Sequence, residues 1–360
     1  MKKKQRTVLS SKNEKIRSFD PNGPALKASN VYGLPFTSAE SDIVLIPVPW
    51  EVTVSSGGGT SGGPAAIRNA SLQVDLFHPE FPDLWKSGIS MEPISATLRK
   101  KSGDLKKLAA GIIDAWTAGK DPEKNVPMRS ALNRVNKGAG EMVDVVFEAA
   151  KKWLDQGKLV GLVGGDHSTP LGLIKALADR HPSFGILQID AHMDLRNSYE
   201  GFTYSHASIM YNALQLKEVK RLVQVGIRDY CEEEVEVVRK SKGRVKVFYY
   251  RDIARERAEG ITWKRHCRAI VEALPDEVYI SFDIDGLDPK LCPDTGTPVP
   301  GGFEFHEITY LLSMLADSGK KIIGFDLNEV SPGKSDWNGN VGARMLFHLC
   351  GVAAKSGGLL

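Results

Sequence analysis

Short runs of apolar and β-branched residues recur along the chain at 42–48, 158–163, 184–190, 221–227, 244–250, 277–283 and 320–327. Several are apolar on both faces, which suits a strand covered above and below and so a parallel sheet between helices. The stretches between them read as helices, for example at 140–156, 262–274 and 305–315. This alternation predicts an α/β protein, a three-layer α/β/α sandwich with a doubly wound, mostly parallel sheet. A chain of 360 residues is long for one domain, but layered α/β folds of this size are common, and 41–360 is read as one domain. The first 40 residues are polar and carry turn formers such as Asp20-Pro21-Asn22-Gly23-Pro24. They are expected to form an extension over the domain or part of a subunit contact. The charged stretch 96–137 is read as helices and a surface loop inserted between early strands.

A formal net charge of +3 and a short run, Lys2, Lys3 and Lys4, without interleaved aromatics describe a solvated end and argue against nucleic-acid binding. No apolar run reaches the roughly 18 residues a bilayer requires, and the start lacks the apolar core of a signal peptide. A cytoplasmic protein without a membrane partner is expected. Cys231, Cys267, Cys292 and Cys350 form no Cys-x-x-Cys pair, so they are read as free thiols.

Three clusters each follow or end a predicted strand: Gly164-Gly165-Asp166-His167-Ser168, Asp190-Ala191-His192-Met193-Asp194, and Ser281-Phe282-Asp283-Ile284-Asp285-Gly286. Strand ends in a parallel sheet lie along one edge, where ligands bind. Alternate residues of an extended chain share a face, so Asp190, His192 and Asp194 can point together, as can Asp283 and Asp285. With His167 they offer four carboxylates and two imidazoles, enough for two divalent ions. Paired ions about 3.5–4 Å apart lower the pKa of a shared water and polarise the bond to be cut. Carboxylates after strands also cap helices, but so dense a group is costly to bury unless it holds a cation. Oxygen and nitrogen ligands without thiolate favour Mn²⁺ and leave Ni²⁺, Co²⁺, Fe²⁺ and Zn²⁺ open. Asp166 is cast as an outer group that fixes the site.

At these residues the chain resembles the ureohydrolase family, which includes arginase, agmatinase, guanidinobutyrase, guanidinase and formimidoylglutamase; the likeness runs from about Ile43 onward. The resemblance implies that His167 and Asp194 serve one ion and His192 and Asp285 the other, with Asp190 and Asp283 bridging. It also implies a homotrimer or homohexamer. Tyr204-Ser205-His206-Ala207 is similar to the family segment with a histidine proton shuttle, which makes His206 the general acid. Glu329, in Asp326-Leu327-Asn328-Glu329, resembles the carboxylate that holds the cationic amidine, and Thr297 matches a pocket wall. The loop Gly57 to Pro64 lacks the Gly-Lys-Ser/Thr ending of a phosphate loop. Pro64 suits a first helical turn, and a comparable family loop lies near the active-site mouth. Trp50 and Trp337 are read as core residues, and His78, His181, His266, His306 and His348 as core or surface ones.

The substrate's tail is less constrained. Leu195 and Arg196 stand where arginases carry an Asn for an α-amino acid, which argues against arginine. Tyr204-Ser205-His206 is similar to agmatinases, whereas Asp194-Leu195-Arg196 is similar to formimidoylglutamases, whose arginine meets a carboxylate. Agmatine is the first expectation, with guanidine or 4-guanidinobutyrate next. An Arg196 facing the pocket would repel a cationic tail, and an Arg196 in a loop salt bridge would not. Two rival classes are a single-zinc deacetylase and a non-catalytic assembly subunit. The first leaves His167, Asp194 and Asp285 without purpose, and the second gives no reason to retain four mutually repelling carboxylates.

Overall fold

The computed structural model describes residues 2–26, 29–54 and 57–360, with side chains from residue 7 onward. The reading of Lys2, Lys3 and Lys4 as solvated concerns side chains outside that set. Among the described residues the strands are β1 Ile43–Pro47, β2 Ile89–Met91, β3 Leu159–Val163, β4 Phe184–Ile189, β5 Val219–Ile227, β6 Val245–Tyr249, β7 Glu277–Asp283 and β8 Lys321–Asn328. They form one sheet in the order β2-β1-β3-β8-β7-β4-β5-β6. Every pairing is parallel. Helices cover both faces, and successive strand residues enter opposite cores. Ile43 and Leu45 pack into one apolar cluster and Val44 and Ile46 into the other. The expected three-layer architecture is the one observed.

β2 was not among the expected strands. It is three residues long, Ile-Ser-Met, and lies at the sheet's edge, too short to carry a periodic signal. The helix expected at 140–156 starts much earlier and spans Val126–Leu154. The Asn125 side chain caps it by accepting from the Met128 amide at 3.2 Å. Ahead of it lies Ala96–Thr117, separated by a turn through Gly119 at φ 69° and Asp121-Pro122. The polarity of this stretch looks irregular in sequence because only one face is covered. Leu98, Leu105, Ala109 and Ile112 are buried there, as are Leu132, Val135 and Ala139 on the helix that follows.

The polar start contains a helix, Lys2–Ser18, tied to the body by side chains. Ser11 and Lys15 donate to Glu40 at 2.6 and 2.7 Å, and Lys12 donates to Asp42 at 2.7 Å. Val31, Tyr32, Leu34 and Phe36 are fully or nearly fully buried in the core. The Tyr32 hydroxyl donates at 2.9 Å to the Ala343 carbonyl of the helix Trp337–Ser356. Trp50 is core, as expected, but Trp337 is 48% exposed and packs in neither core nor pocket. Its indole N–H donates to the Lys290 carbonyl at 3.1 Å, so a polar anchor holds it at the surface. Among the described residues no helix is long and apolar enough to cross a membrane.

Consecutive strands β3 and β4 stand on either side of β8 and β7. At this switch in winding direction the carboxyl ends of four adjacent strands line up, although their residues are far apart in sequence. The register aligns Asp283 of β7 with Asn328 of β8, and Ile189 of β4 with Phe282 of β7. Asp190, Asp283 and Glu329 therefore emerge side by side, with His167 following β3.

Candidate metal centre

The loop after β3 is folded by close packing. A Cβ on Gly164 would lie 1.8 Å from Asn328 Oδ1, and one on Gly165 would lie 1.9 Å from the Trp50 carbonyl, so only glycine fits either place. Asp166 fixes the turn: its carboxylate accepts the Ser168 amide at 3.0 Å and the Val52 amide at 3.2 Å. Burial, partly countered by these bonds, pushes its pKa up to about 6.

His167 then points its ring into the site. Its Nδ1 stands 3.0 Å from Asp190 Oδ2, 3.1 Å from Asp194 Oδ2 and 3.2 Å from Asp283 Oδ2. This nitrogen is buried, and none of the three contacts has the alignment of a hydrogen bond. An imidazole nitrogen and three carboxylates converging on one point make up the donor set a cation takes. Behind the ring, His167 Nε2 meets Ser281 Oγ at 2.9 Å and that hydroxyl meets Asp326 Oδ1 at 3.2 Å. Such a partner chain fixes the orientation of a ligating imidazole.

His192 lies on the other side of Asp190. Its Nδ1 is 3.0 Å from Asp285 Oδ2 and 3.6 Å from Asp190 Oδ1. Ligand-capable atoms of His167, Asp190 and Asp283 form one group, those of Asp190, His192 and Asp285 a second, and Asp190 is common to both. Burial opposes charge on both imidazoles, but the facing carboxylates prevail. They push His192 up to about 12 and hold His167 well above its usual range. Asp194 rises to about 7 through burial and the neighbouring Asp190. Without cations, then, this cluster keeps protons that ions would displace.

Beside the cluster a cavity of about 220 Å³ is lined by His192, Asp194, Arg196, His206, Tyr230 and Thr297, among others. Arg196 therefore faces the cavity, with its guanidinium 4.9 Å from the Tyr199 ring centre. Thr297 Oγ1 lies 3.5 Å from Asp285 Oδ2. His206 is pushed down to about 4, first by burial and then by the protonated His192 and His167. It is thus neutral near pH 7. Glu329 is not among the cavity-lining residues. It stands behind the cluster, where Oε1 accepts the His167 amide at 2.9 Å and Oε2 is buried without a partner.

Some supporting residues had no motif to reveal them. Gln188 donates to Asp190 Oδ2 at 2.8 Å, and Gln224 donates to Gln188 Oε1 at 2.6 Å and to the Met193 carbonyl at 2.7 Å. The available signal was an amide in the middle of an otherwise apolar strand. Arg228, one residue beyond β5, was also missed.

A family model described as the arginase family matches residues 41–351. The chain is 32% identical over 321 residues to an N(1)-aminopropylagmatine ureohydrolase of Thermus thermophilus, covering 89% of this chain and 93% of that one. It is 29% identical to an agmatinase of Bacillus anthracis, covering 81% and 84%. In fold it is similar to the agmatine ureohydrolase of Thermoplasma volcanium, with a TM-score of 0.69 at 22% identity, covering 95% and 98%. The chain belongs to the arginase family, the ureohydrolases its three motifs resemble.

Proposed function

We propose that the protein hydrolyses a guanidino compound to urea and an amine with two divalent ions, Mn²⁺ first and Ni²⁺ next. The convergence of Asp190, Asp194 and Asp283 on His167 Nδ1, with Asp190 shared by the group of His192 and Asp285, carries this reading. His167 and Asp194 would hold one ion, His192 and Asp285 the other, and Asp190 and Asp283 both. When bound, such ions supply a hydroxide nucleophile near neutral pH and polarise the amidine. A single-zinc deacetylase has no use for the His167 group.

The residues around the ions divide the remaining work. Glu329 Oε2 is a buried acceptor without a donor, suited to an N–H of a planar cation. His206, on the cavity wall, takes up a proton and returns it to the departing amine. Thr297 closes the wall against Asp285. The expected enzyme is cytoplasmic and a homotrimer or homohexamer.

Agmatine is the first candidate substrate, supported by the relatives' names and the His206 segment. A second reading comes from Arg196 in the cavity, whose permanent charge favours a carboxylate tail or none. 4-Guanidinobutyrate and guanidine then come forward. Urea and ammonia release from Mn²⁺- or Ni²⁺-loaded protein should be measured on agmatine, N(1)-aminopropylagmatine, guanidine, 4-guanidinobutyrate, arginine and formimidoylglutamate. Turnover of agmatine is expected. A preference for guanidine or 4-guanidinobutyrate replaces the first substrate with the second reading, and no turnover of any compound ends the ureohydrolase proposal.

A further inference from the structure

Arg228 sits half-buried behind the cluster and spends its guanidinium on backbone carbonyls. Nη2 donates to Asp285 O at 2.6 Å, Leu287 O at 3.2 Å and Val299 O at 3.0 Å. Nε donates to Val299 O at 3.2 Å and Nη1 to Gly226 O at 3.2 Å. The guanidinium carbon lies 5.7 Å from the Tyr250 ring centre. One planar group thus joins the loop after β5, the turn Ile284–Gly286 that carries Asp285, and the segment two residues beyond Thr297. Gly226 is part of β5 and Leu287 bridges Phe303, whereas Asp285 and Val299 lie outside every strand, so Arg228 ties loop carbonyls to the sheet. Burial works against the guanidinium charge, while Asp285, Asp190 and Asp283 favour it.

We propose that Arg228 is a positioning residue for the ion site of Asp190, His192 and Asp285, and for the cavity wall at Thr297. The proposal rests on the two-ion reading above. The argument is geometric. The Asp285 carboxylate is aimed from two sides: the Ala191 amide donates to its Oδ1 at 3.0 Å, and Arg228 holds its main chain. A lysine keeps the charge, but its single ammonium cannot span carbonyls on three segments. His167, Asp194 and Glu329 receive no hydrogen bond from Arg228, so the effect should be one-sided. Groups that orient ligands typically account for 10- to 100-fold in metal affinity.

The test compares wild type, Arg228→Lys and Arg228→Met in Mn²⁺ binding against a competing chelator, with thermal unfolding of each metal-free protein alongside. Both variants should weaken one of two Mn²⁺ sites by about 10- to 100-fold and leave the other within about twofold. Arg228→Lys serves if Arg228→Met does not fold. The KM of the best guanidino substrate should also rise more than kcat falls. Two sites of wild-type affinity in the variants overturn the role of Arg228 alone. Equal weakening of both sites with a lower metal-free melting temperature also overturns it, since that describes general packing. Wild type binding a single Mn²⁺ removes the two-ion reading, and this inference with it.

Discussion

Two residues of the site hold a backbone conformation that side chains usually avoid: Asp194 at φ 55° and Glu329 at φ 62°. Each is clamped. The Asp194 carbonyl accepts the Met210 and Tyr211 amides at 3.1 Å, while the Glu329 amide donates to Gly165 at 2.8 Å and its carbonyl accepts from Thr295 at 2.8 Å. Strain kept at such places sets the direction of a carboxylate. For Glu329 it turns Oε2 toward Gly296, where an added Cβ would lie 3.3 Å away. Burial first, then Asp283 and Asp166, raises the Glu329 carboxyl well above its usual range, so its charged form is favoured only when a cation sits beside it. Glu329→Gln keeps an acceptor for the His167 amide and removes the charge. A hydrogen bond to a charged group contributes about 1.5–3 kcal/mol, so kcat/KM for the best guanidino substrate should fall about 10- to 150-fold, chiefly through KM. An unchanged KM would exclude Glu329 from amidine binding. The aspartates and histidines were legible in sequence because few other uses tolerate such spacing. Gln188, Gln224 and Arg228 were not, because each acts through a partner whose proximity only the folded sheet creates.

At the scale of elements, the helix Lys2–Ser18 shows how a polar segment becomes part of a fold. Burial alone would raise Glu40, but bonds from Lys15, Ser11 and Thr37 lower it from 4.5 to about 2. A carboxylate depressed on folding stabilises fully above its unfolded pKa and loses that contribution as pH falls through its folded one. Glu40→Gln should therefore loosen the helix by about 1–2 kcal/mol near pH 7. Its amides should exchange hydrogen about 5- to 30-fold faster than in wild type. That difference should shrink as pH drops from about 4.5 toward 2. A difference that persists at low pH would mean the Lys15 and Ser11 contacts do not hold the helix. Six of the seven longer strands could be read from sequence because both their faces are covered, and the edge strand β6, largely half-buried, by its β-branched and aromatic run. The edge strand β2 could not, since it is too short for a period; the helices at 96–154 were legible as helices, but their bounds were not, because their stripe shows only against the sheet.

For the whole molecule, the decisive quantity is the charge gathered at one sheet edge. In the metal-free protein His192 holds its proton up to about 12 and Asp194 holds one up to about 7. Both values lie above those of an unfolded chain, so the folded metal-free protein binds extra protons and loses stability as pH rises between about 6 and 8. Ions reverse this, since binding them releases the protons and strengthens with pH. At a thousandfold excess over its dissociation constant each ion adds about 4 kcal/mol, or about 8 for two. A chain of 360 residues unfolds with an entropy of about 0.75 kcal/mol per kelvin, so two ions should raise Tm by about 10 °C. Thermal unfolding with and without Mn²⁺ at pH 6, 7 and 8 tests this. The Mn²⁺-dependent rise should grow with pH, and calorimetry in buffers of different ionisation enthalpy should register proton release on binding. A rise that is flat with pH, or binding without proton release, would mean that protons do not occupy the site in the absence of ions. Asp190, shared by both ligand groups, supplies a further test: Asp190→Asn should abolish most of the rise, and because His167 and His192 hold its carboxyl below the usual range against burial, the metal-free variant should also melt below wild type at pH 8.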